Sequence, residues 1–215
     1  MAYIEQTISR IEKTLYSADL SDEKNGYRKY LDLDSFAHYF ILNEFFRNVD
    51  AGRYSTFLYK DARGKAGLVV WDFDNAADNN IDLAWDEFGF DMQNAPWFSM
   101  LLMDGVFVNK VIDEYRRLRN GPLADDYLMR TIDETAAYLG EATARNYKKW
   151  DRAFDLTDYN GLDYLIPVER NYKTYKESVE QLKQFIVTRG RWLDRNIETL
   201  LQYCQESKTA NLLIH

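Results

Sequence analysis

A mainly α-helical domain carrying one small antiparallel β-hairpin is the fold this sequence predicts, on three grounds. Apolar residues step by three and four through most of the chain, and Pro and Gly are scarce, at three and ten of 215 residues. Only one stretch reads as a pair of strands. Sparse turn residues suit long helices better than a many-turned β fold. With 46% hydrophobic and 15% aromatic residues the chain can bury a sizeable core. No repeat, low-complexity tract or linker divides it, so residues 1–215 read as a single helical domain.

Ile4, Ile8, Ile11 and Leu15 recur at helical spacing and predict an opening helix of about four turns, which Ser21-Asp-Glu-Lys-Asn-Gly26 ends. Leu31 to Asp34 reads as a short extended lead-in, with Asp34 or Ser35 accepting a hydrogen bond from the first turn of a second helix. That helix carries Phe36, Tyr39, Phe40, Leu42, Phe45 and Phe46. It is apolar around most of its girth, so it is expected at the centre, packed on two sides. Glu44 then falls on a buried surface, where a carboxylate requires a cation or hydrogen-bond donors beside it.

Arg47-Asn-Val-Asp-Ala-Gly52 ends this helix and delivers Asp50 next to the predicted hairpin. Its strands are Tyr54-Ser-Thr-Phe-Leu-Tyr-Lys60 and Leu68-Val-Val-Trp-Asp-Phe-Asp74, joined by a polar turn with Gly64 and Gly67. Side chains alternate along a strand, so Asp72 and Asp74 are expected on one face, with Phe73 turned into the body.

After Asp74 a long aperiodic loop carries Trp85, Phe88, Phe90 and Met92. Pro96 suits the first turn of a third helix, with Phe98, Leu101, Leu102, Val108, Val111, Ile112, Tyr115 and Leu118 mostly on one face. Asn120-Gly-Pro122 stops it. Another long helix, with Leu128, Ile132, Leu139 and Ala142 to one side, reaches about Trp150. Asp155 to Asp163 reads as a loop. From Val168 a helical pattern through Tyr172, Tyr175, Val179, Leu182, Ile186, Leu193, Ile197 and Leu200 runs to the end of the apolar sequence. Gly190 costs about 1 kcal/mol inside a helix and marks the expected kink or division.

The formal net charge of -8 and a pI near 4.9 argue against a surface built for bare nucleic acid or an anionic membrane and favour a basic substrate segment. The single Cys204 excludes an internal disulfide framework and a cysteine zinc site. His38 and His215 are too few for a histidine metal cluster or a triad. No run approaches the length of a membrane helix, and an amphipathic helix stands in place of a basic-then-apolar leader. The chain is therefore expected to be cytosolic or a piece of a longer precursor.

Asp72 and Asp74 on one face can hold a divalent cation, or simply cap a turn. Asp50, Ser55 five positions on, a hairpin and an acid at its exit follow the order of parts used in phosphoryl transfer. There a loop acid accepts the substrate hydroxyl proton, a polar residue helps hold metal, and a strand-borne acid coordinates the Mg²⁺ that bridges the nucleotide phosphates. Asp50 also reads as an ordinary loop acid, and Ser55 as an ordinary hydroxyl at a strand start. Lys60 and Arg53 could face phosphates or solvent. Two other classes stay open. One is a haloacid-dehalogenase-type phosphatase, with Asp72 as nucleophile and Asp74 as general acid, which needs parallel strands alternating with helices. The other is a non-enzymatic helical module that docks a partner through the aromatics of residues 81–95.

Tyr27-Arg-Lys-Tyr-Leu-Asp-Leu-Asp-Ser-Phe36, Asn43-Glu-Phe-Phe-Arg-Asn-Val-Asp50, Tyr54-Ser-Thr-Phe-Leu-Tyr-Lys-Asp61 and Val70-Trp-Asp-Phe-Asp74 together resemble the CotH kinase family, the spore-coat-type atypical protein kinases. The likeness continues through Pro96-Trp-Phe98, Tyr115-Arg-Arg-Leu-Arg119, Ala144-Arg-Asn146 and the Arg189 to Asp194 segment, nearly the whole chain. It implies a kinase-like C-terminal lobe that transfers phosphate from ATP, with Mg²⁺ or Mn²⁺, to Ser or Thr of secreted or spore-coat proteins. It implies Asp50 as the catalytic aspartate, Asp72 as the metal-binding one and Asp74 as a second ligand, with Ser55 and Asn79 beside the metal and nucleotide. A secreted, cell-surface or spore-coat location goes with it. Two departures stand out: Asp78 occupies a position where the family often has glycine, and the family's N-terminal lobe, with its phosphate-pairing lysine, has no counterpart in these residues. The chain alone is accordingly expected to be inactive and its two-lobed parent to be the kinase.

Overall fold

The computed structural model of the chain describes residues 2–80, 88–155 and 165–204. In chain order its elements are helices α1 (Ala2–Leu15) and α2 (Leu33–Phe46), strands β1 (Phe57–Lys60) and β2 (Ala66–Val69), then α3 (Pro96–Leu101), α4 (Gly105–Arg119), α5 (Asp125–Leu139), α6 (Glu141–Lys149) and α7 (Tyr175–Asn196). A 3₁₀ segment, Ile197–Tyr203, continues α7. The architecture is mainly helical with one small antiparallel sheet, as the composition and periodicity predict.

Helix α2 is the axis of the core. Phe36, Ala37, Tyr39, Phe40, Ile41, Asn43, Glu44 and Phe45 are all buried, and the helix packs against α4, α7 and β2. Its aromatic face meets Phe98 of α3, which stacks on Tyr39 at 5.8 Å, and Phe107 of α4, which meets Phe40 edge-on at 6.5 Å; such offset and T-shaped pairs are the preferred arrangements. The N-cap is Asp32, two or three residues before the expected Asp34 or Ser35, and it accepts from the amides of both. Backbone bonds from Asp32 N to Ala66 O and from Ala66 N to Tyr30 O, 2.9 and 2.8 Å, hold this lead-in extended against β2 and fix where the helix begins.

The strands pair antiparallel with Phe57 opposite Val69 and Lys60 opposite Ala66. They are shorter than predicted, and Asp72 and Asp74 lie beyond β2. Ser55 and Asp72 have φ of 44° and 59°, left-handed values that end a strand. Strand alternation therefore does not set the direction of the two acids, although Phe73 does turn inward, its ring edge-on to Phe46 at 6.1 Å. Leu31 and Ala66 make one isolated parallel bridge. The parallel sheet that the phosphatase reading requires is absent among the described residues.

Two expected helices are each divided. Between α3 and α4, Asp104 caps the new helix by accepting from Val106 N at 3.0 Å, while its other oxygen accepts from the buried Tyr27 hydroxyl at 2.8 Å. Between α5 and α6, Gly140 takes φ +43°, a turn that suits a residue without Cβ. By contrast α7 runs unbroken through Gly190. A Cβ there would lie 2.6 Å from Arg119 Nη2, so the glycine makes room for a guanidinium held by Asp125 and Asp194. The pattern expected from Val168 begins with a 3₁₀ turn, Val168–Arg170, and becomes α-helical at Tyr175. Among the described residues no helix is long and apolar enough to cross a membrane. Most of the predicted 155–163 loop, and residues 81–87 of the proposed docking face, lie outside the described residues.

Candidate functional site

Helix α2 ends at Arg47 with φ 50°, and the turn that follows carries Asn48 and Asp50. Asn48 is buried. Its amide donates to Asn43 Oδ1 and to the backbone oxygen of Asp72, both at 3.1 Å, which ties the end of α2 to the segment leaving β2. Asn75 then donates to Asp50 Oδ2 at 2.8 Å, and Ser55 Oγ donates to Asp72 Oδ2 at 3.1 Å. Asp74 accepts from Asn75 N at 3.0 Å through its side chain and from Asn79 Nδ2 at 2.7 Å through its backbone oxygen. The residues proposed from sequence, Asp50, Ser55, Asp72, Asp74 and Asn79, thus fall into two linked groups: Ser55 with Asp72, and Asp50 with Asn75, Asp74 and Asn79.

Arg47, Ser55, Asp72, Ala77 and Asp78 are the non-glycine residues with left-handed φ among those described, and all five surround this site. Each such conformation costs about 1–2 kcal/mol for an L-residue. Strain concentrated in one place marks a segment whose shape is imposed by its neighbours, as functional loops are.

The imposing neighbours include a buried ion pair. Glu44 needs a partner by its position on α2, and Arg189 of α7 supplies it, Nη2 to Oε2 at 2.8 Å with both side chains out of solvent. The second carboxylate oxygen accepts from the amides of Asp91 and Met92 at 2.8 and 2.6 Å. Arg189 also donates to Glu44 O and Gly89 O. Burial pushes the Glu44 carboxyl up, against the opposing pull of Arg189 and the two amides. Next door, Arg53 pairs with Asp91 at 3.0 Å and donates to Val49 O, so the 88–92 loop is fastened to both α2 and the Asp50 turn. Lys60 turns to Tyr3 and to its neighbour's carbonyl.

Among the described residues no three His, Cys, Asp or Glu side chains gather as a metal site. The oxygens that are present, the Asp72 and Asp74 carboxylates and the Ser55 hydroxyl, are of the hard type that Mg²⁺ and Mn²⁺ accept. Asn48 Oδ1 adds another: it is buried without a hydrogen-bond partner among the described residues, on a side chain that touches Asp72. Trp71, next to Asp72 in the chain, is exposed by 59% and meets the exposed ring of Phe57 edge-on at 5.4 Å.

Sequence reasoning missed Asn48 and Asn75. Their signal was slight: amide side chains flanking two candidate acids, where such residues bridge turns.

A helical body that binds an acidic turn to the exit of a two-stranded hairpin defines the class: an α-rich domain with a polar, carboxylate-bearing site at the hairpin's end. The model of the CotH kinase protein family matches residues 1–193, and the chain belongs to the CotH kinase family. No curated protein matches it.

Proposed function

We propose that this chain is the C-terminal, kinase-like lobe of an ATP- and divalent-metal-dependent protein Ser/Thr kinase. The observation that supports the reading is the 2.8 Å bond from Asn75 to Asp50, because it ties the loop acid to the residue that follows Asp74 at the hairpin's exit. Asn75 occupies Oδ2 and leaves Oδ1 for a substrate hydroxyl. Asp50 accepts the hydroxyl proton as the Ser or Thr oxygen bonds to the γ-phosphorus and the bond to the β-phosphate oxygen breaks, releasing ADP. Asp72 and Asp74, with Ser55 and Asn48 nearby, would hold Mg²⁺ or Mn²⁺, which neutralises phosphate charge when bound. Asn79 fixes the backbone of Asp74.

Positioning supplies most of the rate in such transfers, so the reading assigns the other half of it to the protein's own N-terminal lobe and expects residues 1–215 alone to transfer little phosphate. The exposed rings of Phe57 and Trp71 suit a flat base and a covering lobe. The net charge of -8 favours acceptor segments rich in Lys or Arg, on secreted, cell-surface or spore-coat proteins. The test is transfer from γ-labelled ATP by the two-lobed protein with Mn²⁺ or Mg²⁺. Loss of transfer in Asp50→Ala and in Asp72→Ala is expected; transfer that survives both removes these residues from the reaction.

A further inference from the structure

The loop after Asp74 turns through two consecutive left-handed residues, Ala77 and Asp78, with φ of 54° and 65°. Asp78 stands where a glycine would be the least strained choice, and Asp enters this region more readily than most side chains. What it gains over glycine is a carboxylate, and that carboxylate has a distant partner. Arg170, in the 3₁₀ turn ahead of α7 and only 10% exposed, donates through Nη2 to Asp78 Oδ1 at 2.8 Å and through Nε to Oδ2 at 3.3 Å. The same Nη2 reaches Asp78 O at 2.6 Å and Asn80 O at 3.0 Å, and Nη1 is anchored on Ile166 O. A planar guanidinium fork fixes both distance and orientation, which a lysine cannot do. The other flank of the loop is held by Ala77 N on Phe46 O at 2.7 Å and by Gln181 on Ala77 O at 3.4 Å. Between Asp78 and Asn80 sits Asn79, whose amide holds Asp74 O.

We propose that Arg170 is a positioning residue of the carboxylate site, acting through Asp78 and Asn79 to hold Asp74 in place. Its consequence for metal binding rests on the phosphotransferase reading, whereas the clamp itself does not. Among the described residues Arg170 makes its polar contacts with Asp78, Asn80 and Ile166 and not with the candidate ligands Asp72 and Asp74. It converts a strained loop into a fixed support, so the site depends on a segment 92 positions away in sequence from the residue it grips.

The clamp is tested on the 215-residue chain by hydrogen exchange at the amides of Ala76, Ala77 and Asn79, together with Mn²⁺ titration by electron paramagnetic resonance. Arg170→Ala and Asp78→Asn are each expected to speed exchange at these amides about tenfold, with α2 and α4 unchanged, and to weaken Mn²⁺ binding about tenfold. Arg170→Lys, which keeps the charge and loses the fork, is expected to fall between, and it serves alone if Arg170→Ala does not fold. The double variant is expected to be no worse than either single one. Unchanged exchange in a folded Arg170→Ala chain overturns the clamp, and altered exchange with unchanged Mn²⁺ affinity overturns its role at the site. A wild-type chain that binds no Mn²⁺ while losing loop protection in Arg170→Ala contradicts the metal reading and leaves the clamp standing.

Discussion

Asn75 donates a 2.8 Å hydrogen bond to the carboxylate of Asp50 across 25 positions of sequence. That bond joins the turn after α2 to the exit of the hairpin. Its immediate flanks add two further ties, Asn48 to the Asp72 carbonyl and Ser55 to the Asp72 carboxylate. Left-handed residues occur on both segments, and the buried side-chain amide of Asn48 joins one segment to the other.

Replacing Asn75 tests whether this bond orients the proton acceptor. Asn75→Ala in the proposed two-lobed kinase is expected to lower kcat by about ten- to a hundredfold with little change in KM for ATP. A rise in KM at constant kcat would place Asn75 in nucleotide binding.

The buried pair of Glu44 and Arg189 is expected to behave as a unit. Removing one partner, as in Arg189→Met, leaves the buried Glu44 carboxylate without its cation and Gly89 O without one of its two donors, a loss of about 3–5 kcal/mol. Urea denaturation measures it. The Glu44→Gln, Arg189→Met double variant should lose less than the sum of the two single changes.

Glu114 gives a pH prediction. Its hydrogen bond from Arg117 outweighs the effect of burial and, with those from His38 and Lys110, lowers its pKa from the usual 4.5 to about 2. A carboxyl depressed by folding stabilises the native state fully above its unfolded value, and that contribution disappears as pH falls through the folded value. The stabilities of wild type and Glu114→Gln should therefore differ above pH 4.5 and converge as pH falls towards 2, measured by chemical denaturation across that window.

Gly190→Ala separates helix propensity from packing. Ala is the better helix former by about 1 kcal/mol, but its Cβ would meet Arg119, whose guanidinium is fixed by Asp125, Asp194 and the Leu123 carbonyl. We expect a net destabilisation of about 1 kcal/mol in thermal unfolding. A stabilised variant would show that Arg119 moves aside freely.

Features set by local composition were legible in the sequence. The apolar girth of α2 announced its central place and the need of Glu44 for a partner, and the aromatic and β-branched runs located the hairpin. What escaped was of another kind. Strand length was overestimated because nothing in the identities of Ser55 and Asp72 declares a left-handed backbone. The break before α4 was hidden because the helices on either side of Asp104 bury the same face, so the apolar rhythm continues across the gap. Gly140 and Gly190 look alike in sequence, yet one turns the chain and the other admits an arginine. The partners of Asp50 and Asp78 are long-range pairs, for which a single sequence carries no periodic signal.

Metal placement is decided by the anomalous diffraction signal of Mn²⁺ in crystals of the proposed two-lobed kinase with a non-hydrolysable ATP analogue. A peak bound by the Asp72 carboxylate is expected, with Asp50 facing the terminal phosphate and making no bond to the metal. A peak away from Asp72, or an Asp50 turned from the phosphate, would contradict the proposed function.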